Sequence, residues 1–235
     1  MDPAELLRRA PDAFTSVRAT LATSVDHALA AEARNRWLAT SEFGRELLDA
    51  MRSDTWTRLA DQLEREGDGS PDLTRYWIEP PDRVRFEQEE SVTLRVGDEA
   101  WAFQPGYYVF RAPLWPIPLF FDGGWLAEEL TFVSSAPDAI AERDCLNVQA
   151  RPKADLSDRL KDGADAYELA VDVERGAVLR LRRFLAGTVF ETQEVVEIAY
   201  DEELPAELWE APEVPPREPA TTRTPRARGR GAASS

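Results

Sequence analysis

Residues 16–25, SVRATLATSV, alternate, with Val17, Ala19, Leu21, Thr23 and Val25 on one side and Ser16, Arg18, Thr20 and Ser24 on the other. A period of two predicts a half-buried strand. Ahead of it, Asp2, Pro3 and Glu5 occupy N-cap, N1 and N3 positions and open a short helix. Its apolar face carries Leu6, Leu7 and Ala10, and Pro11 interrupts it. From Asp26 to about Glu66 the period becomes helical, through Leu29, Ala33, Trp37 and Leu38 and then Phe43, Leu47, Leu48, Met51, Trp56, Leu59 and Leu63. Ser41 starts the second of these segments, with a break near Ser53 and Asp54, and residues 66–72, EGDGSPD, read as a loop.

Beyond that loop the chain is β in character. RVRFE, TLRV, AWAF and YYVF form successive short strands with GDE and PG as turns, and CLNVQARP, AYELAVDV, AVLRLRRFL and TVFETQEVVEIAY continue the run. In the last of these, Phe190, Val196, Ile198 and Tyr200 are expected on the core side, with Glu191, Gln193 and Glu197 on the wet side. Between the two sets lie residues 107–126, YYVFRAPLWPIPLFFDGGWL, where Pro113, Pro116 and Pro118 exclude a regular helix or central strand and Gly123 and Gly124 supply a turn. A short helix is expected over 125–131. The apolar loop either closes the core or forms the rim of an apolar pocket, and its rim residues would be Trp101, Tyr107, Trp115, Leu119, Phe120 and Trp125.

Three phrases go further: RYWIEPPDRVRFE, the turn GDEAWAFQPG, and YELAVDVERGAVLRLRRF followed by TVFETQEVVEIAYDEELPAELWEAP. Together they resemble the LolA-like family of bacterial lipoprotein carriers and their relatives, including actinobacterial periplasmic and lipoprotein versions and the RseB regulator. The C-terminal motif of that family is matched by Asp172, Gly176, Val196, Ile198, Leu204, Leu208, Trp209 and Pro212, and the likeness covers roughly residues 75–212 with the first helix and strand. The resemblance implies an α+β fold: a strongly curved antiparallel sheet, an unclosed barrel, wrapped around helices, with a helical excursion after the first strand. It also implies an apolar cavity for a lipid-like ligand. The function expected is therefore a non-catalytic binding protein, the alternative being a protein-interaction or regulatory module that keeps the fold without a ligand.

Charge narrows the partners. With 28 basic and 44 acidic residues the net charge is −16, spread along the chain, which argues against non-specific binding to DNA, RNA or anionic lipid, and no specific nucleic-acid partner is expected. The composition changes at APEVPP, so residues 1–212 read as one domain and 213–235 as a disordered tail rich in Pro, Arg and Ala. Leaving out the five arginines and two glutamates of residues 211–235 takes the counts to 23 and 42, a net −19 for the rest. A basic arm on an acidic body either lies back on it or serves a nucleic-acid or membrane role.

Chemistry is sparse. His27, the sole histidine, stands beside Asp26 at a strand-to-helix junction with no GxSxG-type elbow to serve, and Cys145, the sole cysteine, reads as a small buried hydrophobe. Adjacent acids such as Glu89 and Glu90, Glu128 and Glu129, or Glu202 and Glu203 point to opposite faces in a strand, and FDGGWL lacks the lysine and spacing of a phosphate loop. No enzyme activity, cofactor or metal is expected. No apolar run approaches the ~20 residues of a transmembrane helix, and no leader is visible, so a cytoplasmic location is expected.

Overall fold

A computed structural model describes residues 1–40, 71–89, 91–104, 107–111, 123–153 and 163–210. Helix α1 (Pro3–Arg9) leads through a 3-10 turn (Ala10–Asp12) to strand β1 (Val17–Val25) and helix α2 (His27–Thr40). The expected helical segment after Ser41 and the expected tail at 213–235 lie outside the described residues. Strands β2 (Asp72–Glu79), β3 (Arg83–Gln88), β4 (Ser91–Val96), β5 (Glu99–Gln104) and β6 (Tyr107–Arg111) follow α2 in the chain. After helix α3 (Gly124–Glu129) come β7 (Leu130–Ile140), β8 (Arg143–Pro152), β9 (Ala166–Asp172), β10 (Val178–Leu185) and β11 (Thr188–Tyr200), and a 3-10 turn spans Ala206–Trp209.

The strands form one 11-stranded sheet in the order β6-β5-β4-β3-β2-β1-β11-β10-β9-β8-β7, with every neighbouring pair antiparallel. β6 and β7 are its two edges and the sheet is open between them. Two meanders thus meet on β1, which pairs with β2 on one side and β11 on the other.

One face of the sheet carries the core. Val17, Ile78 and Val84 lie in one cross-strand row, and they pack in a single cluster with Leu6 and Leu7 of α1, Leu126 of α3 and Ala33 of α2. α1 is anchored by a close approach: Gly176, at φ +75°, would place a Cβ only 2.1 Å from the Leu6 carbonyl oxygen, so the β9–β10 turn fits under the helix only with glycine. Around this turn, Asp172, 1% exposed, accepts the amides of Glu174 and Arg175 and the Arg143 guanidinium. Arg143 and Arg175 both lie over the Tyr200 ring, at 4.9 and 5.3 Å. The N-terminal helix and the last strand are thereby tied to the same hairpin.

On the other face, charge is organised rather than diffuse. Arg180 reaches Asp138 at 2.6 Å, Glu168 at 3.3 Å and Glu194 at 3.6 Å, and Arg182 reaches Glu168 at 3.0 Å. The C-terminal 3-10 turn covers this face at β3 and β4, where Arg85 donates to the Leu208 carbonyl at 3.1 Å and Arg83 lies 6.0 Å from the Trp209 ring.

Two expectations need correction here. The short helix ends at Glu129, and Leu130 and Thr131 begin an 11-residue strand instead. That edge strand was hidden because it is exposed along most of its length and contains Pro137, so it has no alternation. In β11 it is Val195, 2% exposed, that faces the core, while Val196 is 52% exposed. A bulge opposite Thr20 and Leu21 inserts Val196 between the partners Val195 and Glu197 and reverses the side-chain sense upstream.

Two stability outcomes follow. Gly176→Ala should cost about 2–4 kcal/mol, since backbone strain adds to the clash with α1, whereas Gly187→Ala, at φ +81° with open space, should cost only ~1–2 kcal/mol. Val195→Ala should cost about 2 kcal/mol and Val196→Ala under ~0.5 kcal/mol. Denaturant melts of the four variants measure these differences, and equal losses at Val195 and Val196 would contradict the bulged register.

Candidate functional site

Where β1 runs into α2, the sheet leaves a cleft of about 1010 Å³. Its walls are the last residues of β1 (Thr23, Ser24, Val25), the first of β2 (Asp72, Leu73, Arg75), the end of β3 (Glu87, Glu89) and the start of β11 (Val189 to Thr192). Asp26 and His27 close one end. The helix start is set locally: Asp26 donates its amide to the Phe190 carbonyl at 2.7 Å while its Oδ1 accepts the Leu29 amide at 3.0 Å, a cap that turns the chain out of the strand.

The lining is mixed in polarity, and its charged side chains are mostly acidic. Among the described residues, Asp26, Asp72, Glu87, Glu89 and Glu191 face a single arginine, Arg75. Two of the five carboxylates are neutralised from behind, Glu87 by Arg85 at 2.6 Å and Glu191 by Arg183 at 2.6 Å. Arg183 and Glu191 belong to a row that runs Tyr167, Arg183, Glu191, Val25, and Gln193 donates to Glu191 at 2.7 Å. The bulge in β11 puts Glu191 and Gln193 on the side of Val195, so the expectation that they face water on the opposite side is also overturned. Apolar side chains share the lining, Val25, Pro71, Leu73, Val189 and Phe190, of which Leu73 is 55% and Val189 38% exposed.

Of the predicted rim residues, Trp101 and Trp125 have described side chains, and neither lines this cleft. Trp101 is half-buried on β5, and the register Arg18, Trp77, Arg85, Leu94, Trp101 puts it on the face opposite the core. Trp125 is half-buried on α3 and packs against the core cluster. Tyr107 lies on β6, and Trp115, Leu119 and Phe120 lie outside the described residues. The structure therefore does not bring Trp101 and Trp125 together, because they occupy opposite sides of one sheet. Of the cleft residues, only His27, Asp26 and Glu89 were weighed for chemistry in the sequence, whereas Thr20, Thr23, Ser24, Val25, Phe190 and Glu191 were read as strand positions. The usable signal was the density of acids at strand ends, near Asp72 and Glu87 to Glu89.

Among the described residues no cluster of three His, Cys, Asp or Glu side chains could hold a metal ion, and no helix is long and apolar enough to cross a membrane. Cys145 is 3% exposed, and burial pushes its thiol up to about 11. Burial likewise raises the Tyr200 hydroxyl far above its ordinary range, so it stays protonated beside Asp172.

No protein-family model matches the sequence, and no curated protein matches it. Solved structures do. MucB in the Pseudomonas aeruginosa MucA/MucB complex superposes with a TM-score of 0.55 at 15% identity, over 90% of this chain and 61% of that one. An uncharacterised conserved protein from Thermus thermophilus superposes with a TM-score of 0.50 at 14% identity, over 89% of this chain and 93% of that one. The fold is LolA-like. The chain thus spans about 61% of the length of MucB, and what is shared at this identity is the LolA-like fold alone.

Cys145 supplies a direct chemical check. At pH 8 a thiol with pKa near 11 holds about a hundredfold less thiolate than an ordinary cysteine. Native protein should react with a thiol reagent at least ~100-fold more slowly than the urea-unfolded chain, and similar rates would mean that the β8 core position is open.

Proposed function

We propose that this LolA-like chain is a non-catalytic binding module whose cleft beside α2 takes a cationic segment of a protein partner, the sheet curving around its helices to present that cleft. The observation that carries the reading is the lining. Three carboxylates, Asp26, Asp72 and Glu89, have no arginine or lysine partner among the described residues, in a concavity wide enough for several side chains. Unneutralised carboxylates grouped in a cleft lower the potential there and favour a positively charged occupant. They disfavour an acyl chain, which leaves each carboxylate to be desolvated without compensation. The MucB structure, solved as a complex with MucA, supports a protein partner as a kind of occupant for this fold.

A lipid-like ligand is the second reading, favoured by the exposed Leu73 and Val189 on the same rim. On that reading Trp101, Tyr107, Trp115, Leu119, Phe120 and Trp125 are further candidates for apolar contact.

Calorimetric titration of the full chain with an octa-arginine peptide separates the two, run beside titration with a fluorescent fatty-acid analogue. Saturable peptide binding is expected, weakening with salt and falling roughly fivefold in an Asp72→Asn, Glu89→Gln variant, as ~0.5 kcal/mol per exposed charge pair implies. Binding that this variant leaves unchanged would place the peptide elsewhere on the acidic surface. Saturable uptake of the fatty-acid analogue, abolished by Leu73→Asp, would instead establish the lipid reading.

A further inference from the structure

Beyond β11 the chain turns back over the sheet on the face opposite the core. Asp201 fixes the start of this return, its carboxylate accepting the Thr15 amide at 2.7 Å and pairing with Arg175 at 2.9 Å. Ser16 then donates to the Glu202 carbonyl at 2.6 Å, and Arg18 reaches the Glu202 carboxylate at 3.2 Å. Further along, Arg85 donates to the Leu208 carbonyl at 3.1 Å and Arg83 lies over the Trp209 ring.

The sheet residues in these contacts form a strip. Arg18 and Arg85 share a cross-strand row with Trp77, Leu94 and Trp101, and Arg83 lies two residues from Arg85 on the same side of β3. Leu94 is fully buried although it points away from the core, where the 3-10 turn rests on β4. Each arginine already has a carboxylate within the sheet: Glu197 for Arg18 at 2.8 Å, Glu79 for Arg83 at 2.8 Å and Glu87 for Arg85 at 2.6 Å. What they give the returning segment is additional. Arg18 takes a second carboxylate, Nη1 of Arg85 takes a main-chain carbonyl, and Arg83 takes an aromatic ring.

The segment seated there has the form of a bound peptide. None of residues 201–210 is buried, and beyond Glu202 its hydrogen bonding to the sheet, among the described residues, comes down to the one bond from Arg85. Its sequence, DEELPAELWE, holds five acids and no base. In a chain of net charge −16 an acidic peptide is repelled over most of the surface and attracted where arginines cluster. The seated sequence and the charge beneath it therefore specify one kind of occupant.

We infer that the strip of Arg18, Arg83, Arg85 and Leu94 is a docking site for an acidic partner peptide carrying a Leu-Trp pair, and that the chain's own segment holds the strip until such a peptide displaces it. This is independent of the cleft reading, since the cleft takes the opposite charge.

The test titrates a fluorescein-labelled peptide, EELPAELWE, into the full chain and into a full-length Leu208→Ala, Trp209→Ala variant, with anisotropy as the readout. If the tethered segment occupies the strip ~90% of the time, its release should tighten the peptide about tenfold. Arg83→Lys, added to that variant, keeps the charge and loses the stacking plane, and should weaken the peptide about threefold. A peptide with alanine in place of its tryptophan should be weakened to a similar degree, and Arg83→Lys should then add nothing further. Equal affinity for wild type and variant, or no saturable binding to the variant, overturns the inference.

A second measurement needs no change to the strip or the segment. In the wild type the Trp209 indole N–H resonance, assigned by its loss in Trp209→Phe, should move as unlabelled peptide is added to millimolar excess. A resonance that stays fixed makes the segment a permanent part of the fold and overturns the inference. Dimerisation of the wild type by exchange of this segment, detected by sedimentation and abolished in the Leu208→Ala, Trp209→Ala variant, would assign the strip to a second copy and overturn it equally.

Discussion

Strand β1 is hydrogen-bonded on both edges, and the rest of the molecule depends on that double pairing. It pairs with β11 along its whole length and with β2 from Val17 to Thr23, so the N-terminal strand becomes the seam between a meander that runs outward to β6 and another that ends at β7. Without it the two meanders would each expose an unpaired edge and half a hydrophobic face. The contact is also long in sequence, joining residues near 20 to residues near 195, so the sheet closes its centre only when the whole chain is in place.

The helices and the hairpin at Gly176 serve this seam. α1 covers the core face beside it, and Gly176 lets the β9–β10 turn meet the helix backbone. Asp172, Arg143, Arg175 and Tyr200 then tie that turn to the end of β11, whose Tyr200 is paired with Val17 at the start of β1. The carboxylate in this buried group is satisfied internally: Asp172 accepts two amides as well as a guanidinium, the condition under which a buried carboxylate is tolerated.

The cleft is a consequence of the same seam. At the far end of β1 the chain turns into α2 at Asp26 and returns as β2 at Asp72, while β11 begins alongside at Val189. Strand ends from four elements converge there, and their polar and apolar residues together line the hollow between them. The acids are thereby concentrated into a concavity, and a net negative charge that reads as solubility in the linear sequence acquires a location. On our proposal, the location gives the charge its recognition role.

Much of this architecture was legible in one dimension. The alternation of Val17, Ala19 and Leu21, the cap at Asp2, the helical spacing of Ala33, Trp37 and Leu38, and the phrases carried by Asp172 and Gly176 are local patterns, and local patterns follow from backbone periodicity alone. What needed the tertiary structure was everything set by the partner of a strand. The bulge that exchanges Val195 for Val196 is written in the pairing with β1, not in β11. The edge strand β7 is held by β8 despite Pro137 and an exposed surface, so its own composition gives no period. Trp101 and Trp125 look alike in an apolar stretch, yet register puts one on the outer face and packing puts the other against the core. The cleft residues Asp26, Asp72, Glu89 and Glu191 are separated by up to 165 positions and share nothing until β1 pairs on both sides. Periodicity determines which residues can turn inward, but only the sheet register decides which of them meet.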